Sequence, residues 1–190
     1  ASLKRRGVEQ VDLYQIHRPD LTAPVAETAR ALNDIVKSGK ARHIGVSNYT
    51  VPQMRALQAH LDTSLISTQP EFSALQQAPI VDGTLDWCSE TGATCLAWSP
   101  LAGGTLATGK GGAERLSDVL AVIDRLAETH GATRTQVALA FTLSHQANVV
   151  PIIGTQTPDR IREAAGASHV ELTAREFYDL VEAYRGEPMP

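Results

Sequence analysis

Two cysteines in 190 residues are too few for a disulfide framework, and Cys88 and Cys95 are not spaced as a CxxC pair. That usage fits a reducing compartment, so the cytoplasm is expected, with both thiols acting as small buried hydrophobes. Basic charge is also scarce. With 17 Lys and Arg against 21 Asp and Glu the formal net charge is -4, which gives no electrostatic footprint for nucleic acid. No apolar run approaches the roughly 18 residues of a membrane span, so no membrane partner is expected. The opening ASLKRRGVEQ has neither the apolar centre of a signal peptide nor an initiator methionine. It reads as the end of a surface helix, and the expectation is a chain that begins part-way through a protein. The histidines show no HExxH spacing, so no metal is expected.

What is there is a regular alternation. The composition, 43% hydrophobic and 20% charged, is that of an ordinary soluble domain. The sequence shows no linker and no repeat, so residues 1–190 are read as a single domain. Strand-like runs VDLYQIH, RHIGVS, SLISTQ, TCLAWS and NVVPII are separated by amphipathic stretches. The first helix runs from Pro24 to Val36, with Gly39 just beyond its end. Thr50 and Pro52 open the second. Ile80 to Glu90 reads as one helix across Gly83, and a glycine-rich loop follows the fourth strand. Thr133-x-x-Gln136 and Thr173-x-x-Glu176 are capping-box patterns. Repeated strand–helix units imply a parallel sheet, either doubly wound or a (β/α)8 barrel, and five strands are too few to close the barrel.

The strands end on polar or aromatic residues: His17, Ser47 and Asn48, Gln69, Trp98 and Ser99, Gly154 and Thr155. In α/β folds these carboxyl ends face the ligand crevice. Singly each has a structural explanation, such as a helix cap. Jointly they mark a site. GTQTPDRIRE places Thr155, Thr157 and Arg160 at a helix N-terminus, where backbone N–H groups and the helix dipole favour an anion. Barrels of this type hold phosphate with the loops after their last two strands. The fifth strand is therefore read as the eighth of a barrel and VDLYQIH as the fourth. Gly104-x-x-x-x-Gly109-Lys110 resembles a P-loop, but Gly111 replaces the Ser or Thr that holds Mg²⁺, so nucleotide triphosphate hydrolysis is set aside.

In order, VDLYQIHRPD, GKARHIGVSN, STQPEFS, LAWSPLAGG and PIIGTQTPDRIRE resemble the aldo-keto reductases, and the SPLAGG form is similar to bacterial members. The resemblance spans the whole chain. It implies a (β/α)8 TIM-type barrel, of which strands 4 to 8 are present, binding NADPH without a GxGxxG motif. NADH is the alternative cofactor. The implied reaction is reduction of a small aldehyde or ketone by hydride transfer. By the same resemblance Ser47, Asn48 and Gln69 hydrogen-bond the nicotinamide carboxamide, and Trp98 stacks on the ring. Ser99 and Leu101 line the pyrophosphate, and Thr155 and Arg160 reach the adenosine 2′-phosphate. Gly154 stands where many members have lysine, and Ala164 where many have asparagine. His17 matches the histidine of an Asp-Tyr-Lys-His catalytic group. The other three lie on the first three βα units of the family fold, so an N-terminal barrel segment is expected as a partner. Without it, a non-catalytic, cofactor-binding regulatory subunit is the rival reading.

Overall fold

Strand and helix alternate along the chain as the hydrophobic pattern requires. The computed structural model describes residues 2–189. A short α1 (Ser2–Arg6) precedes β1 (Val11–Ile16), α2 (Val25–Lys37), β2 (Ala41–Ser47), α3 (Val51–Gln58) and β3 (Leu65–Gln69). Two short helices follow, α4 (Ala78–Val81) and α5 (Thr84–Thr91), then β4 (Thr94–Ala97) and α6 (Thr105–Thr108). The chain continues through α7 (Leu116–His130), α8 (Arg134–Leu143), β5 (Val149–Pro151), α9 (Pro158–Ala165) and α10 (Ala174–Arg185).

The strand pairings among the described residues are parallel, and the strands lie in the order β1-β2-β3-β4-β5. A doubly wound sheet reverses its strand order at a switch point. This one does not, so of the two layouts the chain is wound as a barrel-type sheet. The register places Ile44, Val46, Leu65, Cys95, Ala97 and Val149 on one buried face, packed in the same core as Leu57, Val137 and Phe141 from the helices. The opposite face is not covered in this way: His43, Ile66, Val150 and Ile152 remain exposed there.

Between β2 and β3 the register slips. Ile44 pairs with Leu65 but Val46 with Thr68, so Ile66 and Ser67 together oppose Gly45. A Cβ on Gly45 would run into Ser67 Oγ and lie 3.0 Å from the Ser67 carbonyl oxygen. Glycine is what lets the bulged strand come this close. Beyond the bulge, Thr68 returns to the core face, where its hydroxyl is buried and has no hydrogen-bond partner. Thr68→Val should therefore stabilise the fold by about 1 kcal/mol, since it removes an unsatisfied hydroxyl at little change in volume. A urea midpoint lower than wild type would contradict this.

The capping boxes form as the sequence implies, at Thr133 with Gln136 and Thr173 with Glu176, and a third forms at Thr50 with Gln53. Three expectations need correction. Residues 80–90 do not form one helix, because Gly83 adopts φ 84° and separates α4 from α5. TCLAWS and NVVPII yield only Thr94–Ala97 and Val149–Pro151, and past these residues β4 continues as an isolated bridge from Trp98 to Glu71. The glycine-rich stretch after β4 is partly ordered: a 3-10 turn at Ala102–Gly104 leads into α6, which Gly109 ends with φ 70°. No helix starts after Lys110 until α7, so a phosphate-binding P-loop is not formed. Among the described residues no helix is long and apolar enough to cross a membrane.

Candidate functional site

The carboxyl ends of the strands are joined by a hydrogen-bond network. Asn48 follows β2 with φ 59°, a left-handed conformation that asparagine tolerates better than most residues. Its Nδ2 donates to the His17 carbonyl oxygen at 3.1 Å and to Ser47 Oγ at 3.1 Å. Its Oδ1 accepts from Trp98 Nε1 at 3.1 Å. A carbonyl oxygen can only accept and an indole N–H can only donate, so the direction of the Asn48 amide is fixed at both ends. Ser47, almost wholly buried, donates from Oγ to the Gln69 carbonyl oxygen at 2.8 Å. That carbonyl also accepts from the Asn48 backbone N–H at 3.1 Å.

His17, Ser47, Asn48, Gln69 and Trp98 are thus brought together, with the His17 side chain exposed at the end of β1. Trp98 is tied to the end of β3 as well: its N–H donates to the Pro70 carbonyl at 3.0 Å, and its own carbonyl accepts from Phe72 at 3.3 Å. What the network leaves unused is mostly acceptor capacity. Both Asn48 amide hydrogens and the Ser47 hydroxyl hydrogen are engaged, while no bond engages Gln69 Oε1 among the described residues. The arrangement suits a ligand that presents N–H groups. Beside it, burial pushes the Tyr49 hydroxyl above its ordinary range, and the Asp20 carboxylate adds to the effect.

Arg160 does not join this network. It lines a neighbouring cavity of about 690 Å³, together with Ser99, Leu101, Gly103, Gly104, Gly154 and Thr155. The two regions meet at the Trp98–Ser99 peptide. Ser99 has φ 52°, and its Oγ accepts from the Gly103 N–H at 3.0 Å, which curls the loop over the cavity. A non-glycine residue in this region costs on the order of 1–3 kcal/mol, and such strain collects at binding sites.

At the far wall Thr155 Oγ1 accepts from the Thr157 N–H at 3.1 Å, leaving its own O–H to donate. Thr157 makes no side-chain cap on α9, so the first-turn N–H groups of that helix are open, in contrast to the three boxed helices. Arg160 makes no ion pair among the described residues, whereas Glu163, also on the wall, accepts from Thr133 Oγ1 at 2.7 Å. Nothing lies within 4 Å of a Cβ built on Gly154. The cavity therefore combines a free guanidinium, an open helix N-terminus and glycines that admit close approach, a fit for a phosphorylated ligand.

Sequence reasoning did not single out Gln15 or Ser67, which underlie Gln69 on the uncovered face. The signal was present: Gln15 is the one uncharged polar side chain without an aromatic ring within VDLYQI, and Ser67 lies within SLISTQ. Among the described residues no group of three or more His, Cys, Asp or Glu side chains could hold a metal ion.

Comparison with known proteins places these features in a wider set. Residues 1–185 match the Aldo/keto reductase family. A 6-dehydroglucose reductase of Novosphingobium aromaticivorans is 42% identical over 189 residues, covering 100% of this chain and 62% of the relative. A 6-dehydroglucose reductase of Agrobacterium fabrum is 37% identical over 180 residues, covering 95% of this chain and 59% of its own. Among solved structures, a thermostable aldo-keto reductase in complex with the inhibitor epalrestat superposes with a TM-score of 0.85 at 30% identity, over 96% of this chain and 63% of that one. This chain thus spans about three fifths of the length of these relatives.

Proposed function

Because this chain belongs to the aldo/keto reductase family, we propose that it supplies strands 4 to 8 of a (β/α)8 barrel and the cofactor-binding part of an NADPH-dependent carbonyl reductase. The exposed face of the sheet and the sequential strand order support the barrel reading, with residues 1–190 as part of one domain. The observation that carries the functional reading is the continuity at Trp98–Ser99 between an acceptor-rich network and a cavity suited to phosphate.

Each residue then has a defined task. Gln69 Oε1 and the remaining lone pairs of Ser47 and Asn48 receive the carboxamide N–H groups. Trp98, fixed by its bond to Asn48, offers a ring face for stacking. Ser99 and Leu101 border the pyrophosphate, and Thr155 and Arg160 hold the 2′-phosphate beside the open space at Gly154. When bound, the nicotinamide supplies hydride. His17 joins the network through its backbone carbonyl, and its exposed imidazole carries an N–H that can donate to a carbonyl oxygen held at the end of β1. Because Asn48 holds the His17 backbone, the ring has a fixed point of attachment to the cofactor site. The two relatives named as 6-dehydroglucose reductases favour a sugar-like aldehyde as the substrate class. A cytoplasmic setting goes with this reading, since Cys88 and Cys95 are both buried free thiols.

The test is a titration of the intact protein with NADPH and NADH, followed at 340 nm with sugar-like and simple aldehydes. Tight NADPH binding with turnover is the expected result. Binding without turnover of any aldehyde would favour the regulatory subunit, and no binding of either cofactor would end the reading.

A further inference from the structure

The polarity of the Gln69 amide is set from below. Gln15 lies half-buried on β1, on the sheet face away from the helices, and Gln69 Nε2 donates to its Oε1 at 3.2 Å. The amide of Gln15 is itself oriented by the backbone. Its Nε2 donates to the Val46 carbonyl oxygen at 3.4 Å, and that oxygen can only accept. The same nitrogen donates to Ser67 Oγ at 3.2 Å. With Nε2 committed to β2 and β3, only the Oε1 of Gln15 can face Gln69. Gln69 must answer with its NH₂ group, so its own oxygen is left for the site.

The bulge makes this chain possible. Ser67 reaches Gln15 because Gly45, across from it, has no side chain to occupy that space. Three strands thus contribute to the orientation of one amide: β1 through Gln15, β2 through Val46 and Gly45, and β3 through Ser67.

We infer that Gln15 is a positioning residue of the cofactor site, which holds the Gln69 amide with Oε1 available to accept a hydrogen bond from the nicotinamide carboxamide NH₂. The inference rests on the proposed cofactor reading and adds to it a residue that does not itself touch the cofactor. A group acting only as glue between strands would affect every ligand of the site alike. A group acting through Gln69 Oε1 affects only ligands that donate to it.

The experiment compares NADP⁺ with its 3-acetylpyridine analogue, in which a methyl ketone replaces the carboxamide and the N–H donors are gone. In the intact protein, Gln15→Leu should weaken NADP⁺ binding about fivefold, the worth of one net hydrogen bond, and change the analogue's dissociation constant by less than about twofold. Gln15→Glu keeps an acceptor for Gln69 Nε2 but loses the donor to the Val46 carbonyl, so it should weaken NADP⁺ binding less than Gln15→Leu does. In a Gln69→Leu background, Gln15→Leu should cost nothing further. Equal weakening of both ligands, or an undiminished effect of Gln15→Leu in the Gln69→Leu background, overturns the positioning role while leaving cofactor binding in place. Failure of the wild-type protein to bind NADP⁺ removes the cofactor reading and this inference together.

Discussion

Arg160→Ala should weaken NADPH binding about ten- to a hundredfold and leave NADH binding within about twofold of wild type. A hydrogen bond to a charged group contributes on the order of 1.5–3 kcal/mol, and each 1.4 kcal/mol is tenfold in affinity. The only difference between the two cofactors is the 2′-phosphate, so a residue that serves that group must discriminate between them. Arg160 is placed for it: it lies on the cavity wall at the first turn of α9, it is exposed, and it spends its charge on no carboxylate among the described residues. Raising the ionic strength should narrow the difference, since an exposed pair is screened by salt. The fold should not notice the change, because exposed substitutions of this kind stay within about 0.5 kcal/mol. Isothermal titration with both cofactors reads the result directly. Equal losses for NADPH and NADH would remove the 2′-phosphate role and reassign Arg160 to the pyrophosphate or to the helix.

Phe141→Ala should cost about 3–5 kcal/mol of stability, the largest effect expected of any single substitution considered for this chain. Phe141 on α8 is wholly buried. Its ring stacks on Phe177 of α10, with centroids 4.9 Å apart, and meets Phe72 at 5.7 Å in a tilted arrangement. Truncation leaves a cavity between three segments that cannot easily collapse, so the loss exceeds the transfer free energy of the ring. Typical domains have only about 5–15 kcal/mol in total, so the variant should unfold at a much lower urea concentration. Phe72 lies three residues after Gln69, and its N–H bonds the Trp98 carbonyl at 3.3 Å. The aromatic cluster therefore also anchors the segment that follows Gln69 and, through this bond, Trp98 at the end of β4. Phe141→Leu, which fills part of the space, should recover roughly half of the loss. A cost below about 1.5 kcal/mol for the alanine variant would show that α10 moves in to close the gap.

Much of this could be read along the chain because its causes are local. The threonine caps of α8 and α10 are written three residues ahead of their Gln and Glu partners, and the structure forms both. The parallel pairing follows from a simple alternation of β-rich and amphipathic segments, whereas the strand order does not, since the same alternation also suits a doubly wound sheet. Gly83 shows the limit of that reading: the apolar pattern runs through it, yet φ 84° ends one helix and begins another. Glycine's freedom is invisible to a hydrophobic count. The short β4 and β5 show another limit, since ladder length depends on what the neighbouring strand offers.

The family resemblance, the parallel alternation and the candidates His17, Ser47, Asn48, Gln69, Trp98 and Arg160 are legible along the chain, because they depend on residue identity and on spacing within a few turns. Which of them meet is a property of the folded sheet. It put five in one network and Arg160 in the adjoining cavity, and it brought in Gln15 and Ser67, which are separated by 52 positions in the chain. Hydrogen-bond direction is the reason. Whether Gln69 offers an oxygen or an amide hydrogen depends on which groups already face it across three strands, and those distances exist only once the sheet is built.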